Sequence, residues 1–134
     1  MNTDINVKNS VLSSSIGKAY LSTLAEDSLK EIIEKIEFTA KTRNTIVDKD
    51  QLLEEIEKTR ARGYATCIEE YLPGFITIGA PLINLDTGKG LGGVSFDFSI
   101  IQKDAQAMEQ KYSGLIVELA PSISEVLKRE NNEG

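Results

Sequence analysis

The 134-residue sequence predicts an α+β domain, with an antiparallel sheet of at least three strands and helices packed on its apolar face. Three observations carry this expectation. Apolar residues recur with helical spacing as far as Gly63, alternate with a period of two from Tyr64 to Phe98, and return to helical spacing from Met108. The three strand patterns follow one another with no helix between them, which requires antiparallel pairing. The length, with 40% hydrophobic and 27% charged residues, suits one globular core and is too short for two.

Residues 1–10 are polar and aperiodic and read as a flexible lead-in, leaving the domain over 11–128 and a frayed tail over 129–134. Ile16, Ala19, Tyr20 and Leu24 share one helical stripe, so a first helix is expected over about 14–23. Thr23 and Glu26 have capping-box spacing and open a second helix over about 24–37, carrying Leu29, Ile32, Ile33 and Ile36 inward. Asp48 with Gln51 is a second such signal. The helix it starts turns Leu52, Leu53 and Ile56 inward, places Glu54 and Lys58 one turn apart, and ends on Arg60, Arg62 and a left-handed Gly63.

Strands are expected over 64–70, 75–83 and 91–98, joined by the turn formers Leu72-Pro73-Gly74 and by 84–90. A last helix carries Met108, Tyr112, Leu115, Ile116, Leu119, Ile123 and Leu127, with Pro121 expected to kink or split it. No internal repeat is present.

The formal net charge is −6 with no basic stripe, which argues against direct nucleic-acid binding by this chain. No apolar run approaches the roughly 18 residues of a membrane span, and the first residues lack a signal pattern. A cytoplasmic protein is expected. A single cysteine and no histidine rule out an internal disulfide, His-based catalysis and Cys-rich or His-containing metal sites. No catalytic residue, cofactor or metal is expected.

The hairpin of the second and third strands has two unlike faces. Ile76, Ile78, Ala80 and Leu82 match Val94, Phe96 and Phe98 on an apolar face that must pack against helices. The other face carries Phe75, Thr77 and Gly79 beside Gly93, Ser95 and Asp97. It is either the solvated side of an antiparallel sheet or a concavity for a small organic ligand, with the glycines leaving room. Cys67 reads as inert packing, Glu69 and Glu70 as solvated charges on opposite sides of a strand, and Gly88-Lys89-Gly90 as a hairpin turn.

Ser14-Ser15-Ile16-Gly17-Lys18-Ala19, then Arg60-Ala61-Arg62-Gly63-Tyr64, Glu69-Glu70, Pro73-Gly74 and Ile78-Gly79-Ala80-Pro81, occur in an order that resembles the C-terminal effector-binding domain of IclR-family transcriptional regulators, from about Val11 to Leu127. The resemblance implies a GAF-like (profilin-like) sensor domain without catalysis. A separate winged helix-turn-helix, absent from this chain, would bind DNA, and a homodimer or tetramer would transmit the signal. It also implies that the first strands of the effector domain are missing.

Carried over by position, the effector site falls on Ser14, Ser15 and Ile16, on Cys67, on Phe75 and Thr77, and on Ser95 and Asp97. Cys67 stands where the family often has an acid, and Asp97 where it often has a small hydroxyl. None of these positions is basic, so an organic acid would be held by backbone N–H groups at the first helix start. Asp97 favours a hydroxylated or zwitterionic metabolite. The alternative is a structural or oligomerisation module with no ligand.

Overall fold

A computed structural model describes residues 14–133 of the chain. The lead-in over 1–10 lies outside these residues. The elements are α1 Ser15–Leu21, α2 Glu26–Lys35, α3 Lys49–Arg62, β1 Ala65–Ile68, β2 Phe75–Ile83, β3 Gly90–Ser99 and α4 Ala105–Glu133. The three strands form one antiparallel sheet in the order β1-β2-β3.

Most boundaries follow local chemistry. Ser14 caps α1 by accepting from Gly17 N at 3.1 Å, Asp48 caps α3 by accepting from Asp50 N at 3.1 Å, and Gly63 ends α3 at φ 89°. The expected capping box at α2 does not form. Thr23 Oγ1 donates instead to Tyr20 O at 2.6 Å, and α2 starts at Glu26 with no side-chain cap. Glu26 serves Arg60, whose guanidinium also donates to Ser22 O and Leu24 O and so fastens the α1–α2 connection to the end of α3. β1 is shorter than its alternation suggests, because the chain turns out of the strand at Glu69 (φ 54°).

Pro121 does not split α4, which runs without a break from Ala105 to Glu133. Met108, Ile116 and Ala120, with Tyr112, Ile123 and Leu127, pack against the sheet, so tertiary contacts hold the helix on both sides of the missing N–H. Ser124 Oγ accepts from Ile83 N at 3.1 Å and donates to Ala120 O at 2.8 Å, which adds a tie near the proline.

The α+β class and antiparallel sheet stand as expected, but helices cover both faces of the sheet. The Ile76/Ile78/Ala80/Leu82 face packs on α4, with Phe96 and Phe98 against the Tyr112 ring at 5.5 and 5.0 Å between centroids. Each fully buried side chain there is worth about 1.5–3 kcal/mol. The opposite face takes α1, and behind α1 a second cluster joins Leu21, Leu29, Ile33, Ile36, Ile46, Leu52 and Ile56. The sheet therefore sits between two helical layers, and its polar face is only partly open.

Candidate effector site on the α1 face of the sheet

The strand register brings the site residues into rows. Cys67 pairs with Thr77 and Thr77 with Asp97, so these three cross the sheet side by side; Gly79 pairs with Ser95 in the next row, and Phe75 pairs with Ser99 at the rim. Odd-numbered side chains of β1, β2 and β3 share this face because side chains alternate along a strand.

The start of α1 lies on these rows. Thr77 Oγ1 donates to Ser15 Oγ at 2.8 Å, with both side chains buried. Gly79 makes the approach possible: a Cβ there would lie 2.7 Å from Ser15 Oγ and 3.1 Å from its carbonyl carbon. A Cβ at Gly93 would likewise lie 2.8 Å from Ile16 Cγ2. The room left by both glycines is thus filled by α1 and is not an open concavity.

Toward the other side of the face, Ser95 Oγ donates to Asp97 Oδ1 at 3.0 Å, and Asp97 is exposed. An adjoining groove of about 540 Å³ is lined by Phe75, Asp97 and Ser99 with Leu72, Ile100 and Gln102. It is a mostly apolar trough with one acid on its edge.

Five of the eight expected residues, Ser15, Thr77, Cys67, Ser95 and Asp97, come together, with Phe75 at their rim. Ser14 and Ile16 do not join them in the same way: the Ser14 hydroxyl caps its own helix, and Ile16 stands over Gly93. Cys67 is fully buried. Burial, reinforced by the Glu70 charge, pushes its thiol up to about 12, so it packs beneath the site without reactivity.

Sequence reasoning missed Lys18 and misread Glu70. Lys18 is 0% exposed, and its ammonium donates to Thr66 O at 2.8 Å and to Glu70 Oε2 at 2.9 Å; Glu70 Oε1 also lies 2.9 Å away but outside hydrogen-bonding geometry. Glu55 is a more distant third partner at 3.8 Å. Glu70, expected to be solvated, is buried and also accepts from Ile68 N at 3.2 Å. Desolvation outweighs the ammonium and holds its carboxyl above the usual carboxylate range. The available signal was a lysine between Gly17 and Ala19, one turn after Ser15, in a helix short enough to be buried nearly all round.

Among the described residues no cluster suits a metal ion, and no helix is long and apolar enough to cross a membrane.

Known proteins share this fold. Residues 1–125 match the family model described as bacterial transcriptional regulator IclR C-terminal. The HTH-type transcriptional regulator KdgR of Escherichia coli is 28% identical over 92% of this chain and 46% of its own length. BhcR of Paracoccus denitrificans is 30% identical over 87% of this chain and 41% of its own length. The chain thus spans less than half of either regulator.

Among solved structures, IclR of Thermotoga maritima superposes with a TM-score of 0.79 at 34% identity, covering 87% of this chain and 47% of that one. The inducer-binding domain of the Acinetobacter transcription factor PobR, a double mutant in complex with 3-hydroxybenzoic acid, gives 0.77 at 25% identity over 85% of this chain and 65% of that one. The family match over 125 of 134 residues, joined to this fold, shows that the chain belongs to the IclR family of transcriptional regulators as a C-terminal domain of that family.

Proposed function

We propose that residues 11–128 form the small-molecule sensor of a transcriptional regulator, with the effector seated where Ser15 and Thr77 meet Ser95, Asp97 and Phe75. The observation that carries this reading is the pairing of two side-chain hydrogen bonds, Thr77 to Ser15 and Ser95 to Asp97, on one sheet face beside an apolar groove. A few convergent polar groups at the edge of an apolar trough are what orient a small organic ligand. That the similar PobR domain binds 3-hydroxybenzoic acid supports a hydroxylated organic acid as the ligand class.

The domain acts without catalysis. Cys67 is buried with its thiol held protonated, the hydrogen-bonded Ser95 and Asp97 have no histidine beside them to relay a proton, and the relatives are regulators. DNA contact belongs to a winged helix-turn-helix elsewhere in a cytoplasmic dimer or tetramer, since a chain of net charge −6 has little to offer a phosphate backbone.

Titration calorimetry on the regulator, with a panel of hydroxylated and amino carboxylates, tests the reading. Thr77→Val and Ser95→Ala are each expected to weaken binding about fivefold or more, the equivalent of one lost hydrogen bond; Thr77→Val also costs about 1–3 kcal/mol of stability by taking the buried Ser15 hydroxyl's partner away, while Ser95→Ala leaves thermal unfolding close to the parent. Unchanged affinity in both variants would leave the face as packing beneath α1 with a solvated edge at Asp97. A ligand-free oligomerisation module is the competing reading, favoured by the 94% exposure of Ile101 at the groove rim, and it predicts no heat from any carboxylate.

A further inference from the structure

We propose that the buried Lys18–Glu70 ion pair is a positioning pair that fixes the spacing between the two walls of the effector site; the proposal rests on the reading of that site given above. One wall is the start of α1, where Ser15 meets Thr77, and Lys18 lies one helical turn further along. The other is the hairpin leading into Phe75. There Glu69 N donates to Phe75 O at 2.9 Å, Gly74 N donates to Glu69 Oε1 at 2.8 Å, and Glu70 follows directly in the chain.

A single ammonium connects both. It holds Glu70 on one side and Thr66 O on the other, and Thr66 precedes Cys67, the register partner of Thr77. Lys18 and Glu70 between them also bond Thr66 O and Ile68 N of edge strand β1.

Two features separate this pair from ordinary packing. A seven-residue helix has little stability of its own, so its seat depends on tertiary contacts. A fully buried lysine is also a costly contact, because desolvation consumes most of what the ion pair returns, and Glu70 Oε1 is left without a hydrogen bond. Apolar residues at both positions 18 and 70 would pack α1 more cheaply. They would not select one depth and rotation of the helix, as an ammonium with directional acceptors does.

Cys67, the only cysteine, lies under α1 in the Thr77 row and reports whether α1 lifts. The test measures modification of Cys67 by a chromogenic disulfide reagent in the 134-residue chain, with no ligand, from zero to low urea. Glu70→Gln, which keeps shape and an acceptor but removes a charge that raises the Cys67 thiol, and Lys18→Met are expected to raise the rate at least tenfold at zero urea once each rate is corrected for the thiolate fraction read from that variant's pH–rate profile. That rate should be nearly flat in low urea, the mark of local opening. Leu29→Ala, in the α2 cluster away from the pair, serves as the comparison at similar global stability, and its rate should climb steeply with urea.

If the pair variants show the parent rate, or follow the same urea dependence as Leu29→Ala, the pair is only a contributor to global stability and the proposal is overturned. Should Lys18→Met fail to fold, Glu70→Gln alone decides. Because no effector enters the experiment, its failure leaves the ligand-binding reading standing.

Discussion

Gly79 lies so close beneath Ser15 that the hydrogen bond from Thr77 to Ser15 depends on the absence of a side chain at position 79. Backbone as well as side-chain atoms of Ser15 stand in the way of a Cβ. Gly79→Ala is therefore expected to destabilise the domain by about 1–3 kcal/mol, the usual cost of overpacking. Gly93→Ala should cost less, because the backbone atom it approaches, Ala80 O, is 3.4 Å away against 3.1 Å for the Ser15 carbonyl carbon at Gly79, and its closest contact is a single methyl, Ile16 Cγ2 at 2.8 Å. Urea unfolding of both variants checks the order, and equal costs would mean that α1 shifts freely on the sheet.

Lys18→Met leaves Glu70 buried beside an apolar group. Breaking one partner out of a buried pair costs about 3–5 kcal/mol near neutral pH. Glu70 in the parent already has a raised carboxyl, with burial as the larger cause and Lys18 opposing it, so loss of the lysine raises it further. A folded-state value above the unfolded one gives stability that is present below the ordinary carboxylate range and is lost as pH climbs through the raised value. The cost of Lys18→Met should therefore be smaller at pH 5 than at pH 7.5. Adding Glu70→Leu should recover much of it and flatten the dependence; a cost independent of pH would show that Glu70 finds water when Lys18 is gone.

The thiol of Cys67 gives a third measurement. With its value pushed to about 12, the thiolate fraction at pH 8 is on the order of 10⁻⁴, and the side chain has no exposure. Modification in native buffer is expected to be at least a hundredfold slower than in denaturant. Comparable rates would place Cys67 in contact with solvent and reopen it as a ligand-touching residue.

The sequence periods located this sheet well, for physical reasons. Alternation over Phe75 to Ile83 places the strand ends where the structure has them, because both faces are specified: Ile76 and Ile78 by burial against α4, Thr77 and Gly79 by α1. Gly63 marks the change from helix to strand through its positive φ, a local property. What was not legible depends on contacts far apart in the chain. Lys18 and Glu70 are 52 residues apart, and both belong to types that normally stay in water, so the small neighbours Gly17 and Ala19 hint at a buried Lys18 but nothing local names Glu70 as its partner. The same holds for α1. Its helical spacing is visible, but its seat over Gly79 and Gly93 is set by tertiary packing, which is why the polar face looked like open space.

Asp97 sets the sharpest expectation about ligand chemistry. It is exposed, accepts a hydrogen bond from Ser95, and stands opposite Thr77 in the strand register. A ligand carboxylate bound at Ser15 and Thr77 would lie roughly 6 Å from this charge. At that separation the repulsion is about 0.7 kcal/mol in water and about 2.8 kcal/mol at an effective dielectric constant of 20. Exposure favours the lower figure, so Asp97→Ser should tighten binding of plain carboxylates by about threefold to tenfold. The gain should shrink at about 1 M salt, where screening acts within about 3 Å. Ligands that bring a hydroxyl or an amine to Asp97 should instead lose about one charge-assisted hydrogen bond, roughly tenfold in affinity. Calorimetric titration of paired ligands, with and without the amine, separates the two effects: if Asp97→Ser changes neither class, the carboxylate points away from the bound ligand and does not select it.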